Sequence, residues 1–134
     1  MAYEFLEHTA DVRMRVTGTS LERLFSDALA GLMDLLRPGS PTGPALRRPV
    51  SLSAGDATAL LVDFLSDALL GALTRRERYD GLVVLELTEE RIEAELVGAP
   101  VAGFADDVKA VTYHEAELRR RPDGLWETVI VFDV

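Results

Sequence analysis

Val12-Arg13-Met14-Arg15-Val16-Thr17-Gly18-Thr19-Ser20-Leu21-Glu22 is the stretch on which the fold turns. Val12, Met14 and Val16 alternate with Arg13, Arg15 and Thr17, the period-two pattern of a strand with one buried face. Then the period changes. Leu21, Leu24, Phe25, Ala28, Leu29, Leu32, Met33 and Leu36 recur at steps of three and four, the stripe of an amphipathic helix. Thr19 with Glu22 fits a capping box, in which the hydroxyl accepts from the third helical amide and the carboxylate reaches back. Pro38 and Gly39 stop the helix. A one-sided strand feeding a one-sided helix opens a layered domain of strands and helices.

Outward from this stretch, Tyr3 to Phe5 reads as extended. Arg37 to Pro49 holds four of the six prolines and reads as a loop, with Val50 to Leu52 a short strand after it. A second helix starts near Ser53 or Asp56, with Leu60, Leu61, Phe64, Leu65, Ala68, Leu69, Ala72 and Leu73 as its core stripe. Asp63 and Asp67 fall off that stripe and read as solvated. Gly81 to Thr88 and Arg91 to Val97 form a hairpin across Glu89-Glu90. Gly98 to Asp106 is irregular. Val108 to Arg119 and Leu125 to Val134 are strands joined at Pro122-Asp123-Gly124. Without a repeated strand–helix–strand rhythm, this order predicts an α+β fold: a two-layer sandwich with a mostly antiparallel sheet and two helices packed on one face.

The 134 residues fit one domain, 1–134. A chain of this size buries roughly two-thirds of its unfolded surface. With no cysteine, there is no disulfide, thiolate metal site or cysteine nucleophile. The net charge of −9 disfavours broad direct binding to RNA or DNA. Arg75-Arg76-Arg78 and Arg119-Arg120-Arg121 are the candidate basic patches, or else ordinary solvated loops. No signal peptide and no apolar run of spanning length is evident, so the expected place is the cytoplasm, away from membranes.

The versatile side chains are few: one lysine, Lys109, against thirteen arginines, and two histidines, His8 and His114. The final hairpin locates most of them. A four-residue turn at Arg121 to Gly124 sets Thr112 opposite Asp133 and His114 opposite Val131, with Lys109 just past the chain end. If the strand that follows His8 and Asp11 runs antiparallel to the last one, they join Lys109, Tyr113, His114, Asp133 and the Val134 carboxylate. Two aspartates and a terminal carboxylate make an oxygen-rich site for a hard cation: calcium, manganese or magnesium, with zinc less suited. Lys109 could pair with these carboxylates or hold an anion as a point charge. Singly, each histidine reads as well as a structural group and Asp11 as a turn cap. Composition and spacing name no reaction.

Tyr3-Glu4-Phe5-Leu6-Glu7-His8-Thr9-Ala10-Asp11, Val108-Lys109-Ala110-Val111-Thr112-Tyr113-His114 and the ending Phe132-Asp133-Val134 resemble the archease family. The resemblance covers nearly the whole chain. It implies an accessory protein, not an enzyme, that activates a GTP-dependent RNA ligase of tRNA splicing and RNA repair. Such a protein promotes guanylylation of the ligase's active-site histidine and repeated turnover. The resemblance also implies a divalent-metal site at Asp11, Asp133 and Val134, with calcium or manganese foremost. Around it lies a partner patch of His8, Thr9, Lys109, Thr112, Tyr113 and His114. Arg13 stands where family members often carry glycine, and Gly98 to Asp106 is shorter than usual. Two other readings compete: a stand-alone metal-dependent phosphoryl-transfer or hydrolytic enzyme using His8 or His114, and a chaperone-like module whose carboxylates are structural. The chain has no Walker-type phosphate loop, which counts against the first of these.

Overall fold

The change of period at Gly18 is realised as expected in a computed structural model, which describes residues 2–6, 11–113 and 116–134. Strand β1 (Tyr3–Leu6) pairs antiparallel with β2 (Val12–Gly18), and helix α1 (Leu21–Leu36) follows at once. After the proline-rich loop come β3 (Leu46–Ser53), helix α2 (Ala57–Arg75), β4 (Glu77–Leu87) and β5 (Arg91–Pro100). The chain closes with β6 (Ala110–Thr112), β7 (Arg119–Arg120) and β8 (Trp126–Asp133).

The α+β class, the antiparallel pairing and the two helices are as expected. The strands, however, divide between two sheets. One has the order β1-β2-β8-β6, with β7 also on β8, and the other has the order β3-β5-β4. The chemistry of the edges explains the division. Pro49 lies within β3 and has no N–H to give to a further strand, and β4 carries register shifts at Asp80 and Leu85 that bend it away from regular pairing. Both helices touch both sheets: α1 lies against β2 and β4, and α2 against β4 and β6. Phe25 and Phe64 join the helices with ring centroids 5.4 Å apart.

Several boundaries move for local reasons. The cap of α1 is Ser20, whose Oγ accepts from Arg23 N at 3.1 Å, and Thr19 stays in the bend before it. A Cβ on Gly18 would come within 2.8 Å of Leu24 N, so the connection is tight and the helix begins one residue later than expected. Asp56 caps α2, accepting from Ala59 N at 2.8 Å. The arginine cluster at Arg75 is no loop. Arg75 ends α2, Arg76 caps it with φ 55°, and Arg78 already belongs to β4. β3 is longer than the Val50–Leu52 segment expected, because Leu46 to Ser53 pairs throughout with β5.

Helix α2 also corrects an expectation. Its 19 residues and mean hydropathy of 1.5 are long and apolar enough to cross a membrane by length and composition. In this fold it is a core helix, with Leu60, Leu61, Phe64, Leu65 and Ala68 buried.

Candidate functional site

The site forms where β2 begins and β8 ends. The two strands pair antiparallel, Val12 with Phe132, an arrangement that the sequence permits without requiring it. Asp11 immediately precedes this last pair on one strand and Asp133 immediately follows it on the other. On the other flank of β8, Ala110 pairs with Asp133, and Lys109 N donates to Asp133 O at 2.7 Å. Asp133 is thus bracketed by the first motif on one side and the second on the other. Phe132, fully buried, anchors this strand end in the core, while Asp133 and Val134 emerge exposed.

The detailed register of the last hairpin differs from the expected one. Thr112 faces Val131, not Asp133, and donates its Oγ1 hydrogen to Val131 O at 3.1 Å. His114, the expected partner of Val131, lies outside the described residues. Arg119 pairs with Glu127 and Arg120 with Trp126. The turn accounts only for the pairing next to it. Leu125 O accepts from Arg121 N at 2.7 Å, and Gly124 takes φ 89°, so three residues make the loop, with the last in the left-handed region that glycine tolerates. From Arg119 back to Thr112 the chain takes seven steps against four on β8, from Glu127 to Val131, so the shift at Thr112 arises between β6 and β7, where Tyr113, Ala116, Glu117 and Leu118 lie outside the strands. The expected long strand is thereby shortened to β6 and β7.

The chemistry-bearing residues divide accordingly. Asp11, Asp133, Val134, Lys109, Thr112 and Tyr113 gather at one end of the larger sheet. His8, Thr9 and His114 lie outside the described residues. Among the described residues, no three His, Asp or Glu side chains come together as a metal cluster. The donors expected from the sequence, two aspartates and the Val134 carboxylate, are all hard oxygens, the kind of ligand a hard cation takes. Lys109 is exposed at the mouth of a cleft of about 220 Å³ that Leu69, Leu70 and Leu73 of α2 also line.

Tyr113 follows β6 and is 56% exposed. Its hydroxyl donates to Asp63 Oδ1 at 2.6 Å, and this bond pushes the phenol pKa up, with burial and the aspartate charge adding to it. Asp63 is the residue that sequence reasoning missed. It sits between the buried Val62 and Phe64 of α2, and nothing in the pattern distinguishes it from Asp67. A second tie from the same helix holds Leu118, whose N–H donates to Thr58 Oγ1 at 2.9 Å.

Comparison with known proteins adds the family. The Archease protein family matches residues 3–134. Curated relatives include the archease of Thermococcus gammatolerans, 33% identical with 98% of each chain covered. The archease of Methanosarcina acetivorans is 30% identical, covering 98% of this chain and 95% of that one. The fold matches the solution structure of a Methanobacterium thermoautotrophicum protein with a TM-score of 0.72 at 21% identity, over 99% of both chains. It also matches the crystal structure of a Thermotoga maritima archease, named there as a possible chaperone. The TM-score is 0.70 at 21% identity, over 96% of this chain and 94% of that one. With a family match over nearly its whole length, this chain belongs to the archease family.

Proposed function

We propose that this archease activates a GTP-dependent RNA ligase of tRNA splicing and RNA repair, and does not itself join RNA. It promotes guanylylation of the ligase's active-site histidine and allows repeated turnover. The observation that carries this reading is the meeting of three chain segments at one sheet end: Asp11 before β2, Lys109 before β6, and Asp133-Val134 after β8. Family membership and the acidic balance support it, since a chain of net charge −9 would reach RNA through a partner.

Asp11, Asp133 and the Val134 carboxylate are the residues that would hold a divalent cation, calcium or manganese. When bound, such an ion supplies a positive centre for phosphate oxygens. The protein's own residues do the rest. Pairing of β8 with both β2 and β6 fixes the carboxylates relative to each other. Lys109, whose backbone N–H bonds to Asp133 O, offers a compact ammonium from the same strand end, suited to an anionic group of the nucleotide or the ligase. Tyr113, Thr112, His8, Thr9 and His114 complete the surface that meets the ligase.

Ligation by the cognate ligase, present well below substrate concentration, tests this directly. Added archease should give many product molecules per ligase where the ligase alone stalls. Asp11→Ala should abolish the gain. No gain with the wild-type chain would sink the reading, and full activity of Asp11→Ala would remove the metal from it. RNA or nucleotide turnover by the archease alone would replace it with an enzyme.

A further inference from the structure

We infer that Asp63 of α2 is a positioning residue that aims Tyr113 at the ligase, an inference that rests on the activator reading above. β6 is only three residues long, and its ladder against β8 ends at Thr112. Tyr113 is the first residue past that ladder, so no sheet hydrogen bond of β6 holds it, and it is exposed. Its carbonyl accepts from Ala116 N at 3.1 Å, a local turn bond that does not fix the side chain; an exposed phenol past the end of a ladder has several rotamers open to it, and each docking event must select one.

Helix α2 supplies the missing support. Tyr113 Oη donates to Asp63 Oδ1 at 2.6 Å, a charge-assisted bond of the shorter and stronger kind. Leu118 N donates to Thr58 Oγ1 at 2.9 Å. The stretch from Tyr113 to Leu118 is thus tied at both ends to one helix. That helix is rigid where it matters: Leu60, Leu61, Val62, Phe64 and Leu65 are all buried. Asp63 is the outward position within this run, so it transmits the rigidity of the core to Tyr113. The bond singles out this position, although the composition of the helix does not.

Activation of the cognate ligase across a range of archease concentrations tests the inference. Asp63→Ala and Tyr113→Phe should each raise the half-activating concentration roughly 3- to 10-fold, the span of one net hydrogen bond. The rate at saturation should be unchanged, and the double variant should be no worse than either single one. Asp63→Asn, whose amide oxygen still accepts from the phenol, should recover to within about twofold of wild type. In parallel, the Tyr113 ring followed by NMR should titrate at a lower pH in Asp63→Ala than in the wild type, a shift that a general loss of stability would not give. An unchanged half-activating concentration in Asp63→Ala overturns the inference. So does normal activation by Tyr113→Phe alongside an impaired Asp63→Ala. A wild-type chain that activates at no concentration overturns the ligase reading itself and the inference with it, an outcome distinct from both.

Discussion

Glu77 is only 3% exposed, yet it carries a charge, and its surroundings show how that is tolerated. Arg48 grips both carboxylate oxygens, at 2.9 and 2.5 Å, and the Tyr79 hydroxyl donates to Oε1 at 2.9 Å. The Arg48 bond holds the Glu77 carboxyl below its usual range, outweighing burial, which pushes the other way. A carboxyl depressed in the folded state stabilises the protein above its unfolded pKa of about 4.3 and loses that contribution as pH falls through the folded value. Glu77→Gln should therefore cost about 1–3 kcal/mol at neutral pH. The Arg48 side chain, 41% exposed, keeps some water when its partner is lost, which holds the cost below that of a fully buried pair. The gap between the two proteins should close as the pH drops below about 4. Urea unfolding at several pH values checks this, and a pH-independent gap would refute the ion-pair account. Thr128 is the opposite case. Its Oγ1 is buried with no hydrogen-bond partner among the described residues. Thr128→Val keeps the shape and removes the unmet group, and should raise stability by about 0.5–1.5 kcal/mol in the same assay.

At the scale of elements, what the sequence shows is what is local. Both helices, the β4–β5 hairpin and the strand–helix junction at Gly18 follow from periodicity and turn chemistry, because neighbours in sequence set them. The choice between Thr19 and Ser20 as cap is not legible, since adjacent hydroxyls offer the same chemistry and only the close approach at Gly18 decides between them. Ser20→Ala should cost about 1 kcal/mol in thermal unfolding, and Thr19→Ala a few tenths. Equal costs would return the cap to Thr19. The partition into two sheets is hidden for a related reason: pairing β3 with β5 joins segments separated by a helix, and no pattern within either names the other. Gly98 shows how close that packing is. A Cβ there would lie 1.7 Å from the carbonyl oxygen of Arg78 and 3.0 Å from the Cα of Tyr79, both backbone atoms that cannot swing aside. Gly98→Ala should cost about 3 kcal/mol and loosen the amides of β4 and β5 to hydrogen exchange. Unchanged protection would mean that the two strands can shift apart freely.

Over the whole molecule, the site is legible in outline and wrong in register. The last hairpin is local, so the nearness of Lys109 to the chain end can be read from its turn, and a shift of two residues in the pairing leaves it intact. The approach of Asp11 to Asp133 depends on β2 meeting β8 across most of the sequence, a pairing that no local pattern dictates. Asp63 is illegible because its partner lies 50 residues away. The fold thus does two separable things at this sheet end. Phe132 is fully buried and fastens β8 to the core, while Val134, 42% exposed, makes no demand on packing. Stability and function should therefore part company at the terminus. Adding a few residues after Val134 displaces its carboxylate without touching the core, so the melting temperature should stay within about 2 °C of the parent, less than a change of about 1 kcal/mol would give. Ligase activation should fall steeply, and divalent-metal affinity measured by calorimetry should fall with it, because one of three hard oxygen donors is lost. An extended chain that keeps both would remove Val134 from the site and leave Asp11 and Asp133 to act without it. An extended chain that unfolds would show that the terminus serves the core, contrary to its exposure.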